Sequence, residues 1–232
     1  MVSEFQVPDF KPYSVRHLSA FKNNSLTWLK ISFMQSICVF CGSSMGIRPE
    51  YRQGALDLAK ILLKRNIRLI YGGANVGLMK VLADTVLEGG GEAIGIMPKI
   101  LIEKEVAHLN LTRMYVVENM SERKNLMVEL SDAFIAMPGG FGTLDELAEV
   151  ITYNQLRLTD KPIGILNIAG YFDPLLAFFD HITDEGFLRP EHRQNLLIDN
   201  NIEGLITKML DYKPVPIDKW IEDIKMETDS RS

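Results

Sequence analysis

An α/β domain with one mainly parallel sheet is the architecture this sequence predicts, on three observations. From Ser36 onward, short and near-continuously apolar runs alternate with amphipathic stretches of helical length. Runs of that kind are strands covered on both faces, and parallel neighbours require a helical crossover between them. Glycine-rich segments follow several of the runs, where a strand must turn sharply into its helix. The 232 residues suffice for a single sizeable domain, which buries roughly 70–75% of the surface its unfolded chain exposes.

Residues 1–33 show no period, and Pro8, Pro12, Asn23 and Asn24 interrupt any element that might start there. Two readings stand for them: an N-terminal extension, partly disordered, with Met34 as a candidate start; or an arm packed on the domain through Trp28, Ile31 and Phe33. The regular pattern then begins. A strand is expected over Ser36–Phe40, a loop over Cys41–Gly46, and a helix from Pro49, a first-turn proline, to about Lys64. A second strand, Ile67–Tyr71, leads through Gly72-Gly73-Ala74-Asn75-Val76-Gly77 into a helix that reaches Glu88 and stops at Gly89-Gly90-Gly91. Glu92–Ile96 is a third strand, followed by a long polar connection from Met97 to Thr112.

Arg113–Val117 is a fourth strand, after which Ser121 is expected to cap a helix to about Leu130. Arg123 and Lys124 fall in its first turn, where the helix dipole disfavours cations, so either something anionic compensates them or both extend into solvent. Asp132–Met137 is a strand, and a helix runs from Thr143 to about Leu158. Pro162–Leu166 is the next strand, Tyr171–Glu185 a helix ended by Gly186, and Ile202–Leu210 a last amphipathic helix. The domain therefore spans 34–213, with a charged tail over 214–232.

The totals exclude several classes. A formal net charge of −5, with no basic run interleaved with aromatics, argues against a nucleic-acid surface and for a small-molecule partner. No stretch is long or apolar enough to span a bilayer, and no secretory signal is legible, so a cytoplasmic place is expected. Cys38 and Cys41 form a C-x-x-C pair at a strand end, whereas a redox motif of that spacing opens a helix directly. His17, His108, His181 and His192 lack ligand spacing, and neither a metal nor a cofactor is expected.

The stretch around which the chain is organised is Pro138-Gly139-Gly140-Phe141-Gly142-Thr143-Leu144-Asp145-Glu146. Glycines let backbone N–H groups approach an anion, and the following helix adds its unpaired N–H groups and the positive end of its dipole. Thr143-x-x-Glu146 has a second reading as a capping box, in which the glutamate only closes the helix start. Three glycines in four positions exceed what a cap requires. In a parallel sheet the loops at 41–46, 72–77, 97–112 and 138–143 also converge on one carboxyl-edge crevice.

With those residues in place the chain resembles the cytokinin-activating phosphoribohydrolases, the "Lonely Guy" family once labelled "lysine decarboxylase-like". The signature P-G-G-x-G-T-x-x-E stands at Pro138–Glu146, and the upstream Arg-Lys pair at Arg123-Lys124. Further matches are Val39-Phe40-Cys41-Gly42-Ser43-Ser44, Tyr71-Gly72-Gly73 with Gly77-Leu78-Met79, Asp132–Ala136 and Tyr171-Phe172-Asp173-Pro174, spread over about 36–210. The resemblance implies a Rossmann-like, doubly wound single domain. It also implies homodimers with pockets close to the subunit contact. The implied reaction is hydrolysis of the N-glycosidic bond of purine nucleoside 5′-monophosphates, AMP or N6-modified AMP, to free base and ribose 5-phosphate.

By motif position Glu146 would be the catalytic carboxylate and Arg123 its essential partner. Substrate contacts would fall to Ser43, Gly73, Glu105, Lys124, Gly139, Gly140, Phe141, Gly142, Thr143 and Thr152. A place in the first helical turn would favour an ionised Glu146, suited to stabilising a sugar cation and activating water. Two departures stand out: Lys80 where many relatives have glycine, and Tyr153-Asn154-Gln155-Leu156-Arg157 where many have Trp-Ala-Gln-Leu-Gly. Two other functions compete, a nucleotide-binding carrier of the same fold without turnover and a PLP-dependent decarboxylase. The second needs a Schiff-base lysine, for which only Lys80 and Lys124 lie near the crevice.

Overall fold

The computed structural model describes residues 34–102, 104 and 106–214. The readings made for 1–33, for Glu105 and for most of the tail fall outside them. Seven strands form one sheet: β1 (Ser36–Phe40), β2 (Arg68–Tyr71), β3 (Ala93–Pro98), β4 (Arg113–Val117), β5 (Ala133–Ala136), β6 (Ile163–Leu166) and β7 (Leu196–Asp199). Their order is β4-β3-β2-β1-β5-β6-β7, and every described pairing is parallel. The helices are α1 (Pro49–Lys64), α2 (Gly77–Glu88), α3 (Lys99–Ile102), α4 (Met120–Leu130), α5 (Phe141–Gln155), α6 (Asp173–Asp184), α7 (Pro190–Gln194) and α8 (Ile202–Leu210).

Alternation along the strands explains the two layers. Ile37, Val39, Leu69, Tyr71, Ala133 and Ile135 feed one core with α1, α2 and α8. Cys38, Phe40, Ile70, Phe134 and Ala136 point the other way, toward Leu126 and Met127 of α4 and Leu147 and Val150 of α5. A strand whose two faces are both buried reads as an unbroken apolar run, which is the pattern seen in the sequence. The mouth of β1 is tied to that of β5 by Asp132, whose Oδ2 accepts from the N–H groups of Gln35 and Ser36 at 2.9 Å each and from the Ser36 hydroxyl at 3.0 Å.

Several elements depart from expectation. α5 starts at Phe141 with Gly140 as its N-cap, two residues before Thr143, and ends at Gln155 because Arg157 adopts φ 58. α4 is capped by Asn119 rather than Ser121: the Asn119 side chain accepts from the Glu122 N–H at 2.9 Å, and Glu122 Oε2 accepts from the Glu118 N–H at 3.0 Å. The connection after β3 contains the single-turn α3 and an antiparallel bridge between Ala74 and Ala107. α7 and the edge strand β7 occupy a stretch for which no element was expected. No helix among the described residues is long and apolar enough to cross a membrane.

Candidate active site

β1 and β5 lie side by side, yet the helices that follow them cover opposite faces of the sheet. The chain thus reverses direction at this point, and a crevice opens beyond the strands' carboxyl ends. Three loops meet there backbone to backbone. The Gly42 N–H donates to the Pro138 carbonyl at 3.0 Å, and the Leu78 N–H donates to the Gly42 carbonyl at 3.0 Å. A Cβ on Gly139 would stand 2.1 Å from Thr143 Oγ1 and 2.9 Å from the Gly42 nitrogen. One on Gly77, at φ 55, would stand 2.3 Å from the Ser43 carbonyl carbon.

Gly140 and Gly142 are glycines for a different reason. Neither has positive φ, and a Cβ on either would meet nothing within 4 Å. The space in front of them faces the first turn of α5, whose N-cap supplies no side-chain hydrogen bond and whose first turn holds no acidic residue. Free N–H groups, a positive dipole end and room for a ligand are thereby combined. Beside this turn lies a cavity of about 290 Å³ walled by Ser43, Ser44, Tyr51, Gly139, Gly140 and Tyr171 among others.

The charged pair stands on the α4 side of the same turn. Arg123 donates from Nε to the Ile96 carbonyl at 3.1 Å and places Nη1 3.3 Å from Glu146 Oε1. Each side chain of the pair is only 11% exposed. Gly72 makes room for the guanidinium: a Cβ there would lie 2.0 Å from Arg123 Nη2. Glu146 is therefore neither a capping-box partner nor a first-turn residue. It sits in the second turn, and burial pushes its carboxyl above the usual 4.5, Asp145 and Glu149 adding to the rise while Arg123 and Lys124 oppose it. That corrects the expected dipole-favoured ionisation. A carboxyl that holds its proton to higher pH is better matched to proton transfer near neutrality.

Other expected residues scatter. Thr143 is the third helical residue, 3% exposed, with its hydroxyl turned toward Gly139. Lys124 binds Asp145 Oδ2 at 3.1 Å and Glu149 Oε1 at 3.3 Å, so both cations of the pair meet carboxylates instead of extending into solvent. Gly73, at φ 78, accepts from the His108 N–H at 2.9 Å and packs on Met114 away from the cavity wall. Phe141 is 92% exposed. Thr152 is exposed roughly 13 Å along α5 from Thr143, its hydroxyl donating to the Ala148 carbonyl at 2.8 Å. Glu146 and Arg123 themselves stand outside the cavity's walls in the single chain.

Sequence reasoning gave no site role to Tyr51, nor to Tyr171 beyond its place in a matched motif. The Tyr171 hydroxyl donates to the Gly139 carbonyl, and its ring meets Tyr51 edge-on at 5.5 Å. Tyr171 lies on a further strand-to-helix loop at the same carboxyl edge, which was the available signal. Lys80, one of the departures, donates to Asn75 Oδ1 at 3.1 Å and pairs with Asp84 Oδ2 at 2.8 Å. With Lys124 held between two carboxylates, neither lysine near the crevice is placed as a Schiff-base nucleophile. Among the described residues no group of three His, Cys, Asp or Glu could hold a metal ion.

This arrangement defines an α/β protein with a crevice at the carboxyl edge of its parallel sheet, and comparison with known proteins specifies it. Residues 79–209 match a family model described as "Possible lysine decarboxylase", and the chain belongs to that family, whose named relatives are cytokinin riboside 5′-monophosphate phosphoribohydrolases. A probable enzyme of that name from Oryza sativa subsp. japonica is 43% identical over 201 residues, covering 87% of this chain and 82% of the relative. One from Arabidopsis thaliana is 45% identical over 184 residues, covering 79% and 81%. Among solved structures, the molybdenum cofactor carrier protein of Chlamydomonas reinhardtii superposes with a TM-score of 0.58 at 22% identity, over 78% of this chain and 99% of that one. The molybdenum cofactor binding protein of Rippkaea orientalis gives 0.57 at 24%, over 75% and 94%. At those identities the likeness is one of fold.

Proposed function

We propose that the chain hydrolyses the N-glycosidic bond of purine nucleoside 5′-monophosphates, AMP and N6-modified AMP, to free base and ribose 5-phosphate. The observation that carries this reading is the open space before Gly140 and Gly142 on an uncapped helix start, next to a buried carboxyl–guanidinium pair. The named activity of relatives at 43–45% identity supports it. The 5′-phosphate seats on the N–H groups of the glycine turn, with Ser43 at its rim, and acts as a handle that positions the sugar. As the C1′–N9 bond breaks, positive charge grows on the ribose. Glu146 faces that charge and takes a proton from the water whose oxygen bonds to C1′, while the purine leaves with the electron pair of the broken bond and is protonated by solvent water. Arg123 holds Glu146 in place. Lys124, through Asp145 and Glu149, keeps α4 against α5.

A homodimer completes the picture. Phe141, Leu144, Ala148 and Thr152 form an exposed, uncharged stripe along α5. A second copy covering that stripe would account for a nearly bare phenylalanine, and would carry Phe141 and Thr152 to the subunit contact beside the pockets. Cys38 and Cys41 are buried free thiols, in keeping with a reducing, cytoplasmic setting.

The test is incubation of purified protein with AMP and with isopentenyl-adenosine monophosphate, following free base and ribose 5-phosphate. Release is expected from wild type and lost in Glu146→Gln, with the circular dichroism spectrum of the folded protein retained. Equal, slow release from both would leave a nucleotide carrier as the better description.

A further inference from the structure

The loop between β6 and α6 is held in an uncommon shape. Ala169 has φ 52 and Gly170 φ 70, two left-handed residues in succession. A non-glycine residue stays in that region only where its surroundings hold it. Here Arg48 Nη1 donates to the Ala169 carbonyl at 3.2 Å. Asn167 spans the turn, donating from Nδ2 to Asp173 Oδ1 at 2.6 Å and accepting from the Phe172 N–H at 2.8 Å. What this turn delivers is Tyr171, wedged edge-on between Tyr51 at 5.5 Å and Phe172 at 5.0 Å, with its hydroxyl on the Gly139 carbonyl.

We propose that Tyr171 is a positioning residue of the phosphate seat, acting through the Gly139–Gly140 peptide. This rests on the reading of the glycine turn as the place where the 5′-phosphate docks. A peptide unit is planar and trans, so fixing the direction of the Gly139 carbonyl fixes the opposite direction of the Gly140 N–H. Between two glycines no side chain limits φ and ψ at either end of that plane, so its direction rests on what its carbonyl and N–H engage. A turned plane would present a carbonyl oxygen to the anion in place of an N–H donor. The hydroxyl of Tyr171 prevents this by engaging the carbonyl from the cavity wall. The ligand class it serves is a phosphate monoester dianion, irrespective of the base attached.

Tyr171→Phe keeps the ring between its two aromatic neighbours and removes only the donor. Isothermal titration with ribose 5-phosphate is expected to show affinity weakened about fivefold, the equivalent of one neutral hydrogen bond. KM for AMP should rise in step with kcat unchanged, and binding of unphosphorylated adenosine should not move. Ribose 5-phosphate binding to the variant as tightly as to wild type overturns the assignment. So does an equal weakening toward ribose 5-phosphate and adenosine together with a lower melting temperature, which marks general loosening of the site. Wild type that binds neither ribose 5-phosphate nor AMP removes the phosphate seat itself, a separate failure of the proposed function.

Discussion

Replacing Gly142 with alanine sets stability against binding. Gly142 is the second residue of α5, has no positive φ, and leaves open space where a Cβ would stand. Glycine costs conformational entropy that alanine does not, so Gly142→Ala should stabilise the fold by about 0.5–1 kcal/mol. In a domain of this size that corresponds to a rise of about 1–4 °C in melting temperature. The same methyl group would occupy the room assigned to the phosphate. Loss of one hydrogen bond to a charged group costs about 1.5–3 kcal/mol, so KM for AMP should rise roughly ten- to a hundredfold. Urea unfolding followed by circular dichroism measures the first effect, and steady-state release of adenine the second. A variant that is more stable and binds AMP as wild type does would refute the phosphate seat. A less stable variant would refute the claim that the space is open.

The remaining predictions concern the pair, the sheet and the end of α5. Glu146 has its carboxyl raised above 4.5 by burial, so the acidic limb of the kcat/KM profile should lie above that value, and higher still in Arg123→Gln, which loses the opposing charge. Because the folded state binds this proton more tightly than the unfolded one, the Glu146 contribution to stability falls as pH rises from 4.5 through the folded pKa. Urea titrations across that window should therefore shift the stability difference in favour of Glu146→Gln as pH increases. Asp132→Ala removes a carboxylate that accepts from two backbone N–H groups and a hydroxyl, and should lower unfolding free energy by about 2–4 kcal/mol in urea. Arg157→Gly places the permissive residue at φ 58 beyond the end of α5, and should raise the melting temperature by stabilising the fold about 1 kcal/mol, the exposed pair with Asp160 offsetting little.

The bounds of β1, α1, β4 and α8 were legible because each has an unambiguous signal: a fully apolar strand, a first-turn proline, a run with clean 3.6-residue periodicity. The edge strand β7 was not, since Leu196–Asp199 is too short to show a period and is flanked by polar residues on both sides. The start of α5 was misplaced because threonine is the better cap in isolation, whereas the chain turns at Gly140 and Thr143 packs against Gly139 from inside the first helical turn. That shift of two residues moved Glu146 out of the first turn, and burial rather than the dipole sets the direction of its pKa. The helix dipole suggested only that something anionic could meet Arg123 and Lys124, with extension into solvent as the other reading. Which carboxylate each would meet depended on how α4 crosses α5, and no local pattern encodes that.

Where Gly42, Gly77 and Gly139 meet, main chain touches main chain with no side chain between. Such a junction leaves no latitude for sequence drift, because even a methyl group would part the strands' ends. Side chains that can change without parting that backbone stand around it in the cavity wall, among them Ser44, Met45 and Tyr51. An engineer wishing to reshape the cavity would randomise those three positions and hold the three glycines fixed.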